Sequence, residues 1–175
     1  GYVGGAGDLP EEVVARWVKE GMVVVSFNYR LGALGIFSNA QLTQPEGANF
    51  RIMDMTAALR WVQTNIDSFG GDADKVTIAG NSAGGMAIQM MMVTANGAGQ
   101  FRGAISQSGY GSWPLPRTAN VATVKGSASA EAISRAIATR ATGSLQPSLE
   151  ALYATPADAF VNAIDGFHLP VVDGI

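Results

Sequence analysis

The sequence predicts an α/β fold in which a mostly parallel sheet is flanked by helices. Residues 22–27 form an almost continuous apolar run between Gly21 and Asn28, as expected of a central strand buried on both faces. The residues before that run carry apolar side chains at helical spacing, so a helix is predicted to lead into the strand. A second, buried strand is predicted over residues 76–78, and an apolar helix follows it over residues 83–93. Helices that alternate with strands are typical of α/β layers.

The N-terminal elements follow from capping and breaking residues. Residues 1–7 are too rich in glycine for a helix or a packed strand, and no lysine follows at the spacing of a phosphate loop, so we expect close backbone approach to a ligand. Asp8 is the predicted cap of the first helix, Pro10 lies early in it, and Gly21 ends it. Residues 31–47 are predicted to form a long loop over the strand ends, and loops of that length are usually functional.

The remaining elements are predicted from periodicity and from glycine and proline. A helix over residues 53–69 is stopped by Gly70 and Gly71. The helix over residues 83–93 contains four methionines, which we interpret as core packing rather than as a metal or cofactor site. Residues 107–116 are predicted to form an aromatic loop rich in breakers. The other predicted elements are a strand over residues 101–106 and helices over residues 130–142, 147–153 and 156–163.

Composition and charge exclude several classes of function. At 175 residues, with 47% hydrophobic and 14% charged residues, the chain is long enough for a globular domain with a substantial core. Its net charge of -3 and its scattered lysines and arginines disfavour nucleic-acid binding. No apolar run is long enough to span a membrane, and no signal peptide is visible. Because cysteine is absent, disulfides and thiolate metal sites are excluded. Separately, we expect no cofactor and no metal.

One stretch specifies a chemistry. Residues 80–84 read Gly-Asn-Ser-Ala-Gly, which fits the G-x-S-x-G turn that joins a strand to a helix and exposes a nucleophilic serine. In such a turn Ser82 has a strained backbone, and Gly80 and Gly84 are predicted to avoid collisions with the neighbouring strand and helix. The serine Oγ would project beside the helix N-terminus, whose free N–H groups favour a developing negative charge. The alternative is an ordinary loop rich in glycine and serine.

Several further blocks recur in an order and spacing that indicate one family. They are Gly-Tyr-Val-Gly-Gly at residues 1–5 and the blocks at residues 26–38, 49–54, 57–66, 69–72, 76–85, 104–109 and 170–174. Together they resemble the type-B carboxylesterases, the cholinesterase-like branch of the α/β-hydrolases. In the sister branch related to hormone-sensitive lipase, Asn-Tyr-Arg is usually followed by Leu-Ala-Pro. In this chain it is followed by Leu-Gly-Ala, which favours the type-B branch.

The resemblance implies a partial α/β-hydrolase fold, incomplete at both ends, that hydrolyses a small-molecule ester through a Ser-His-acid triad and an acyl-enzyme. Ser82 falls on the family's nucleophile, and the backbone N–H of Ala83 falls on one oxyanion-hole donor. Gly1 falls on the last glycine of the loop that supplies the other donors. Ser108 matches a serine that the family places near the triad histidine, although a hydroxyl that caps its own turn is an equally good account. Trp113 is a candidate for lining the acyl pocket.

The resemblance also indicates a structural ion pair and two departures from the family. Arg30 at a strand end and Asp54 at a helix start match the pair, which we expect to serve folding rather than catalysis. Asp54 is also expected to be stabilised by the helix dipole. Many relatives carry glutamate directly before the nucleophile, where this chain has Asn81, so the charge near the histidine would differ. The family's Gly-Leu before the helix aspartate is replaced by Arg51 and Ile52, and the sequence assigns this arginine no role.

The only histidine, His168, is not predicted to be the general base. Asp165 lies three residues before it, and the order serine, acid, histidine would complete a triad within the chain. In the family that the chain resembles, however, both partners follow the block at residues 170–174. Asp173 belongs to that block and is not expected to be the catalytic acid. The triad acid and histidine are therefore expected beyond residue 175.

Residues 1–175 are accordingly expected to be an internal segment of one hydrolase domain, with a core over residues 1–116 and helices over residues 117–175. Such a segment would be nearly inert by itself, because loss of a triad histidine costs about 10⁶-fold in kcat. The resemblance favours a secreted or periplasmic protein. A catalytically silent adhesion or scaffold protein is the alternative from another class. Thioesterase or lipase activity and the oligomeric state are left open.

Overall fold

The computed structural model describes residues 1–39, 41, 48–109, 115–119, 128–165 and 169–173. These residues form two compact units. The first unit contains residues 1, 5–29 and 52–109, and the second contains the other described residues. The assignment of residues 1–175 to one hydrolase domain stays a prediction.

Helices predominate in the part of the chain that the structure describes. Short 3₁₀ turns cover Ile66–Phe69, Ala73–Lys75 and Ala95–Gly97. Within these residues, no helix is long and apolar enough to cross a membrane. In chain order the elements are α1 (Glu11–Lys19), α2 (Gly32–Gly35), α3 (Phe50–Asn65), β1 (Thr77–Asn81), α4 (Ala83–Val93), β2 (Gly103–Gln107), α5 (Ala130–Thr142), α6 (Leu149–Ala154) and α7 (Ala157–Asn162).

Strands β1 and β2 of the first unit pair in parallel, as the sequence predicted. Thr77 lies opposite Gly103 at one end of the register, and Asn81 lies opposite Gln107 at the other. Helix α4 connects the two strands and packs on both of them. Helix α4 is apolar overall, and its buried residues are Ala83, Gly85, Met86, Ala87, Ile88 and Met91. The result is a β-α-β unit, which puts the carboxyl ends of both strands at one edge.

The prediction of a central strand at residues 22–27 is wrong in its burial. The segment is extended, but no strand among the described residues pairs with it. Val25 is 42% exposed and Phe27 is 40% exposed. The apolar run correctly predicted an extended backbone. Burial on both faces also requires other elements to pack on each face, and the run does not specify those. A cavity of about 590 Å³ lies along this segment, with β1 among its other walls.

Three smaller predictions in the first unit are corrected. Residues 76–78 were expected to be buried, but Ile78 is the only buried residue of β1. Helix α1 begins at Glu11 after Pro10, without a side-chain cap, so Asp8 is not its capping residue. Of the four methionines in α4, Met92 is 60% exposed rather than packed in the core.

The second unit has its core on α5. Ile137 is fully buried and packs with Ala33 of α2 and Ala163 after α7. Phe37 and Phe160 add an edge-to-face ring contact, with centroids 5.8 Å apart. The N-terminal end of α5 closes a second cluster, in which Ala130 packs with Ile36 and Val171.

Candidate active site

Ser82 occupies a tight turn between β1 and α4. Its φ of 55° and ψ of -116° lie in a region that residues with a side chain rarely adopt. Its N–H donates to the carbonyl oxygen of Gln107 at 2.9 Å, which continues the β1–β2 ladder by one residue. The side chain is exposed rather than packed in the core. The turn therefore presents a strained, accessible serine at the carboxyl edge of the sheet.

The glycines around Ser82 differ in how closely other atoms approach them, and the sequence predicted these contacts only in part. A Cβ at Gly80 would collide with the backbone carbonyl of Gly84, so the first predicted collision is present. The predicted collision at Gly84 is wrong, because a Cβ there would meet open space. Gly85, which directly follows the motif, is tightly packed as well. A Cβ on it would lie 2.6 Å from the carbonyl oxygen of Gln107 and 3.0 Å from the amide nitrogen of Gly109.

The N-terminus of α4 lies directly after the serine. Ala83 is the first helical residue, and the first intrahelical hydrogen bond runs from Met86 N–H to the Ser82 carbonyl oxygen at 3.0 Å. Among the described residues, the amides of Ala83, Gly84 and Gly85 make no backbone hydrogen bond. Such free amides and the helix dipole favour an anion. The turn can therefore stabilise a negative charge beside the Ser82 hydroxyl.

Asn81 and Ser108 lie at the same edge of the sheet as Ser82. Asn81 ends β1 opposite Gln107, and Ser108 follows Gln107 directly. Ser108 also has a left-handed backbone, with φ of 52°. Both side chains are exposed. The register therefore places the residues that follow the two strands side by side, and their roles stay predictions.

Gly1 is tied to the segment after residues 22–27. The Tyr29 hydroxyl donates to the Gly1 carbonyl oxygen at 3.1 Å. Nearby, the Gly7 amide donates to Asn28 Oδ1 at 2.6 Å, and a Cβ on Gly7 would lie 2.7 Å from the Phe27 backbone. The glycine-rich segment thus lies close to the protein's own backbone, and its predicted approach to a ligand stays a prediction. The role of Gly1 as an oxyanion donor stays a prediction.

Arg30 and Asp54 belong to different units, so their ion pair stays a prediction. The Arg30 guanidinium lies over the Phe50 ring, 5.0 Å from its centroid, and Nη2 donates to the Phe50 carbonyl oxygen at 3.5 Å. Asp54 does not lie at a helix start, because α3 begins four residues earlier at Phe50. The expected gain from the helix dipole at Asp54 is therefore wrong, since that effect falls off beyond the first turn.

Asp173 has a structural environment. Its Oδ2 accepts hydrogen bonds from the Ala48 amide at 3.1 Å and from Asn49 Nδ2 at 2.8 Å. The Asn49 side chain also bridges Val171, since Nδ2 donates to the Val171 carbonyl oxygen and Oδ1 accepts from the Val171 amide, each at 2.7 Å. Sequence reasoning missed this role of Asn49, because its partners lie more than 120 residues away.

Two other predicted site residues, Trp113 and His168, lie outside the described residues. Asp165, the acid that the sequence pairs with His168, is exposed. In the described part of the chain, no group of three or more histidine, cysteine, aspartate or glutamate residues could hold a metal ion.

An exposed ion pair precedes β1. Lys75 Nζ lies 2.7 Å from Asp72 Oδ2. Hydrogen bonds from Lys75 Nζ and from the Asp74 amide lower the pKa of Asp72, and the hydrogen bond that Lys75 donates to Asp72 raises the pKa of Lys75. Solvent screens an exposed pair of this kind, so it contributes little to stability.

Comparison with known proteins gives one consistent family. Residues 2–170 match the family described as the carboxylesterase family. The chain is 40% identical over 112 residues to a fumonisin B1 esterase of Sphingopyxis macrogoltabida, with 62% of the chain and 21% of that protein covered. It is 40% identical over 106 residues to the para-nitrobenzyl esterase of Bacillus subtilis (strain 168), with 60% and 22% covered. The chain thus spans about a fifth of the length of these relatives.

Solved structures agree. A carboxylesterase of Geobacillus stearothermophilus aligns with a TM-score of 0.78 and 33% identity, over 99% of this chain and 38% of that one. A PNB esterase aligns with a TM-score of 0.74 and 31% identity, over 91% of this chain and 32% of that one.

Proposed function

The chain belongs to the carboxylesterase family and has a partial α/β-hydrolase fold, and from this premise we propose that Ser82 is the nucleophile of a serine carboxylesterase. The observation that carries the proposal is the exposed serine held at φ 55° and ψ -116° directly before the N-terminus of α4. The substrate class is a small-molecule ester. The activity is proposed for the full-length protein.

The proposed reaction is acyl transfer, for which the turn supports Ser82 as the nucleophile. The Ser82 Oγ attacks the ester carbonyl carbon while a histidine base removes its proton, and the carbonyl oxygen becomes an oxyanion. The Ala83 amide and the proposed donor at Gly1 stabilise that charge. The alcohol leaves with the proton from the histidine, and an acyl-enzyme remains on Ser82. A water molecule then attacks the acyl-enzyme with the same histidine as base, which releases the carboxylic acid and restores Ser82.

The first prediction is that Ser82→Ala abolishes catalysis in the full-length protein. A fluorophosphonate probe should label the wild-type protein at Ser82 and leave Ser82→Ala unlabelled. Hydrolysis of a p-nitrophenyl ester should fall about 10⁴-fold or more, as for loss of a triad serine. Circular dichroism should show that the variant is folded.

The matched control is Ser68→Ala, an exposed serine of the Ile66–Phe69 turn in the same unit. It should keep wild-type labelling and rate. Labelling that survives Ser82→Ala would show that another residue is the nucleophile. A folded wild-type protein without labelling or hydrolysis would instead support the catalytically silent scaffold.

A further inference from the structure

Strand β2 holds the turn at Ser82 on both sides of the serine. The Ser82 N–H donates to the Gln107 carbonyl oxygen at 2.9 Å. One residue earlier on β2, the Ser106 hydroxyl donates to the carbonyl oxygen of Gly85 at 3.0 Å, and Gly85 is a buried residue in the first turn of α4. All of these residues belong to the first unit. The Ala83 amide therefore lies between two points that the same strand holds.

Two glycines allow the end of β2 to approach α4 closely enough for this contact. A Cβ on Gly109 would lie 2.7 Å from the Ser106 Oγ and 2.7 Å from the carbonyl carbon of Gly85. A Cβ on Gly85 would lie 3.1 Å from the Cα of Gly109. A side chain at either position would push the two segments apart, and the Ser106 hydroxyl would then lose its acceptor.

The chemistry of the groups fixes the direction of the hydrogen bonds at Ser106. A carbonyl oxygen can only accept, so the single hydroxyl proton of Ser106 points to Gly85. The hydroxyl oxygen can still accept, and Gln89 Nε2 donates to it at 3.1 Å. Ser106 therefore links a side-chain donor on the second turn of α4 to a backbone acceptor on the first turn.

The Gly85 carbonyl is connected to the Ala83 amide through two peptide units. The Gly85 carbonyl and the Met86 N–H share one peptide unit, and this N–H donates to the Ser82 carbonyl oxygen at 3.0 Å. The Ser82 carbonyl and the Ala83 N–H share the other peptide unit. Hydrogen bonds in such a chain polarise one another, so a contact at each carbonyl strengthens the N–H donor of the same peptide unit. The chain starts at Gln89 and ends at the Ala83 N–H.

We propose that Ser106, assisted by Gln89, is a positioning residue that orients and polarises the Ala83 N–H for oxyanion binding. The inference rests on the proposed function, in which that N–H is an oxyanion donor. Planar peptide units transmit the constraint, because fixing the carbonyl of a unit also fixes the direction of its N–H. Oxyanion donors act only when they are held close to the productive geometry before the reaction. Ser106 contributes to the transition state without touching the substrate.

The test compares Ser106→Ala, Ser106→Thr and Gln89→Leu with Thr64→Ala in the full-length protein. Thr64 is the matched control, because its exposed hydroxyl also donates to a helix carbonyl oxygen, that of Arg60 at 2.9 Å, but on α3. Rates are expressed per active site, counted by fluorophosphonate labelling taken to completion, so that loss of folded protein does not count as loss of catalysis. A trifluoromethyl ketone, which forms a tetrahedral adduct with a serine, measures stabilisation of the oxyanion.

Ser106→Ala should lower kcat about 10-fold, which is less than the roughly 10²–10³-fold loss for a missing oxyanion donor, because the Ala83 amide itself remains. Gln89→Leu should lower kcat about threefold, because it removes only the first hydrogen bond of the chain. In both variants the affinity for the ketone should fall in parallel with kcat, and KM should stay within about twofold. Ser106→Thr keeps the hydroxyl and should retain kcat and ketone affinity, as should Thr64→Ala. If Ser106→Ala does not fold, Gln89→Leu tests the same chain from its first donor.

The results that would overturn the inference are distinguishable from failure of the proposed function. Wild-type kcat and ketone affinity in Ser106→Ala and Gln89→Leu, with Ser82 still labelled, would reject the role of Ser106 and leave the proposed function intact. A loss in Ser106→Thr as large as in Ser106→Ala would also reject that role, since the hydroxyl would then not be the group that matters. Absence of labelling in the wild-type protein would reject the proposed function and the role of Ser106 together.

Discussion

At the scale of single residues, the turn at Ser82 concentrates strain at one reactive side chain. A residue held in a sparsely populated backbone region costs about 1–3 kcal/mol, and it persists only where its surroundings fix it. Here the Ser82 amide is held by Gln107, and the backbone of Gly84 approaches Gly80 too closely for any side chain at that position. Ser108, which follows the paired strand end, is the other described residue besides glycine with positive φ. The two strained residues therefore directly follow the paired ends of β1 and β2, at the same edge of the sheet.

The two glycines of the motif should respond differently to alanine. Gly80→Ala should lower the free energy of unfolding by roughly 1–3 kcal/mol, because its Cβ collides with a backbone carbonyl that cannot move without opening the turn. Gly84→Ala should be neutral or stabilising by up to about 1 kcal/mol, because the new methyl group meets open space on a helix. Urea unfolding of both variants measures the difference. Equal losses in the two variants would contradict this account of the turn.

At the scale of elements, the N-terminus of α5 ties together segments that are distant in sequence. The Ser129 hydroxyl caps the helix by accepting from the Ala132 amide at 3.3 Å. The Glu131 carboxylate accepts from the Ser38 hydroxyl at 3.0 Å and from the Ala119 amide at 2.9 Å. Burial by itself raises the pKa of Glu131, but hydrogen bonds from the Ala119 amide, its own amide and the Ser38 and Ser129 hydroxyls outweigh it and lower the pKa below 4.5. The ionised carboxylate therefore stabilises the fold.

Glu131→Gln should lower the free energy of unfolding by about 1–2 kcal/mol at pH 7, because it removes hydrogen bonds to a charged acceptor. A pKa that is lower in the folded state gives stability that is present above pH 4.5 and is lost as the pH falls through the lowered value. The difference between wild type and variant should therefore shrink below pH 4.5. Urea unfolding from pH 3 to pH 7 provides the measurement.

Glu150→Gln is the matched control, because Glu150 is also the second residue of a helix capped by a serine. Among the described residues its carboxylate accepts no hydrogen bond, and the side chain is exposed. This control should change stability by less than about 0.5 kcal/mol, as is usual for surface substitutions. Equal effects at the two glutamates would assign the result to the helix dipole rather than to the contacts with Ser38 and Ala119.

At the scale of the whole molecule, apolar exposure and net charge together determine how the 175-residue chain behaves in solution. Met22, Val23, Val25 and Phe27 are each between 40% and 48% exposed along one extended segment. An exposed extended segment with apolar side chains is a site for association. The chain carries a net charge of -3 at pH 7 and has a pI near 5.0, so repulsion between copies disappears as the pH approaches 5.

Self-association of the 175-residue chain should therefore increase as the pH falls from 7 to 5. Replacement of Val23 and Val25 by threonine should reduce it, because both residues line the cavity beside β1. Val93→Thr is the control, since Val93 is 84% exposed but does not line that cavity. Light scattering across this pH range measures the effect. An unchanged scattering signal in the double variant would place the associating surface elsewhere.

The sequence by itself determined the features that depend on neighbouring residues. The bounds of α4 and α5 agree with those predicted, because the turn at Ser82 begins one helix and Ser129 and Gly143 cap the other. The G-x-S-x-G turn, the parallel pairing and the family were also predicted, since they follow from local steric rules and from the order of motifs.

Only the tertiary structure decided which positions are buried and which partners meet. It made Gly85 rather than Gly84 the close contact with the end of β2, buried Arg51 against Tyr2, and left residues 22–27 without a neighbouring strand among the described residues. The contacts of Gly85 and of Arg51 join residues that are between 20 and 50 positions apart, and no local pattern of side chains encodes such contacts. Local sequence fixes backbone conformation through short-range sterics, whereas packing depends on which surfaces the rest of the fold brings together.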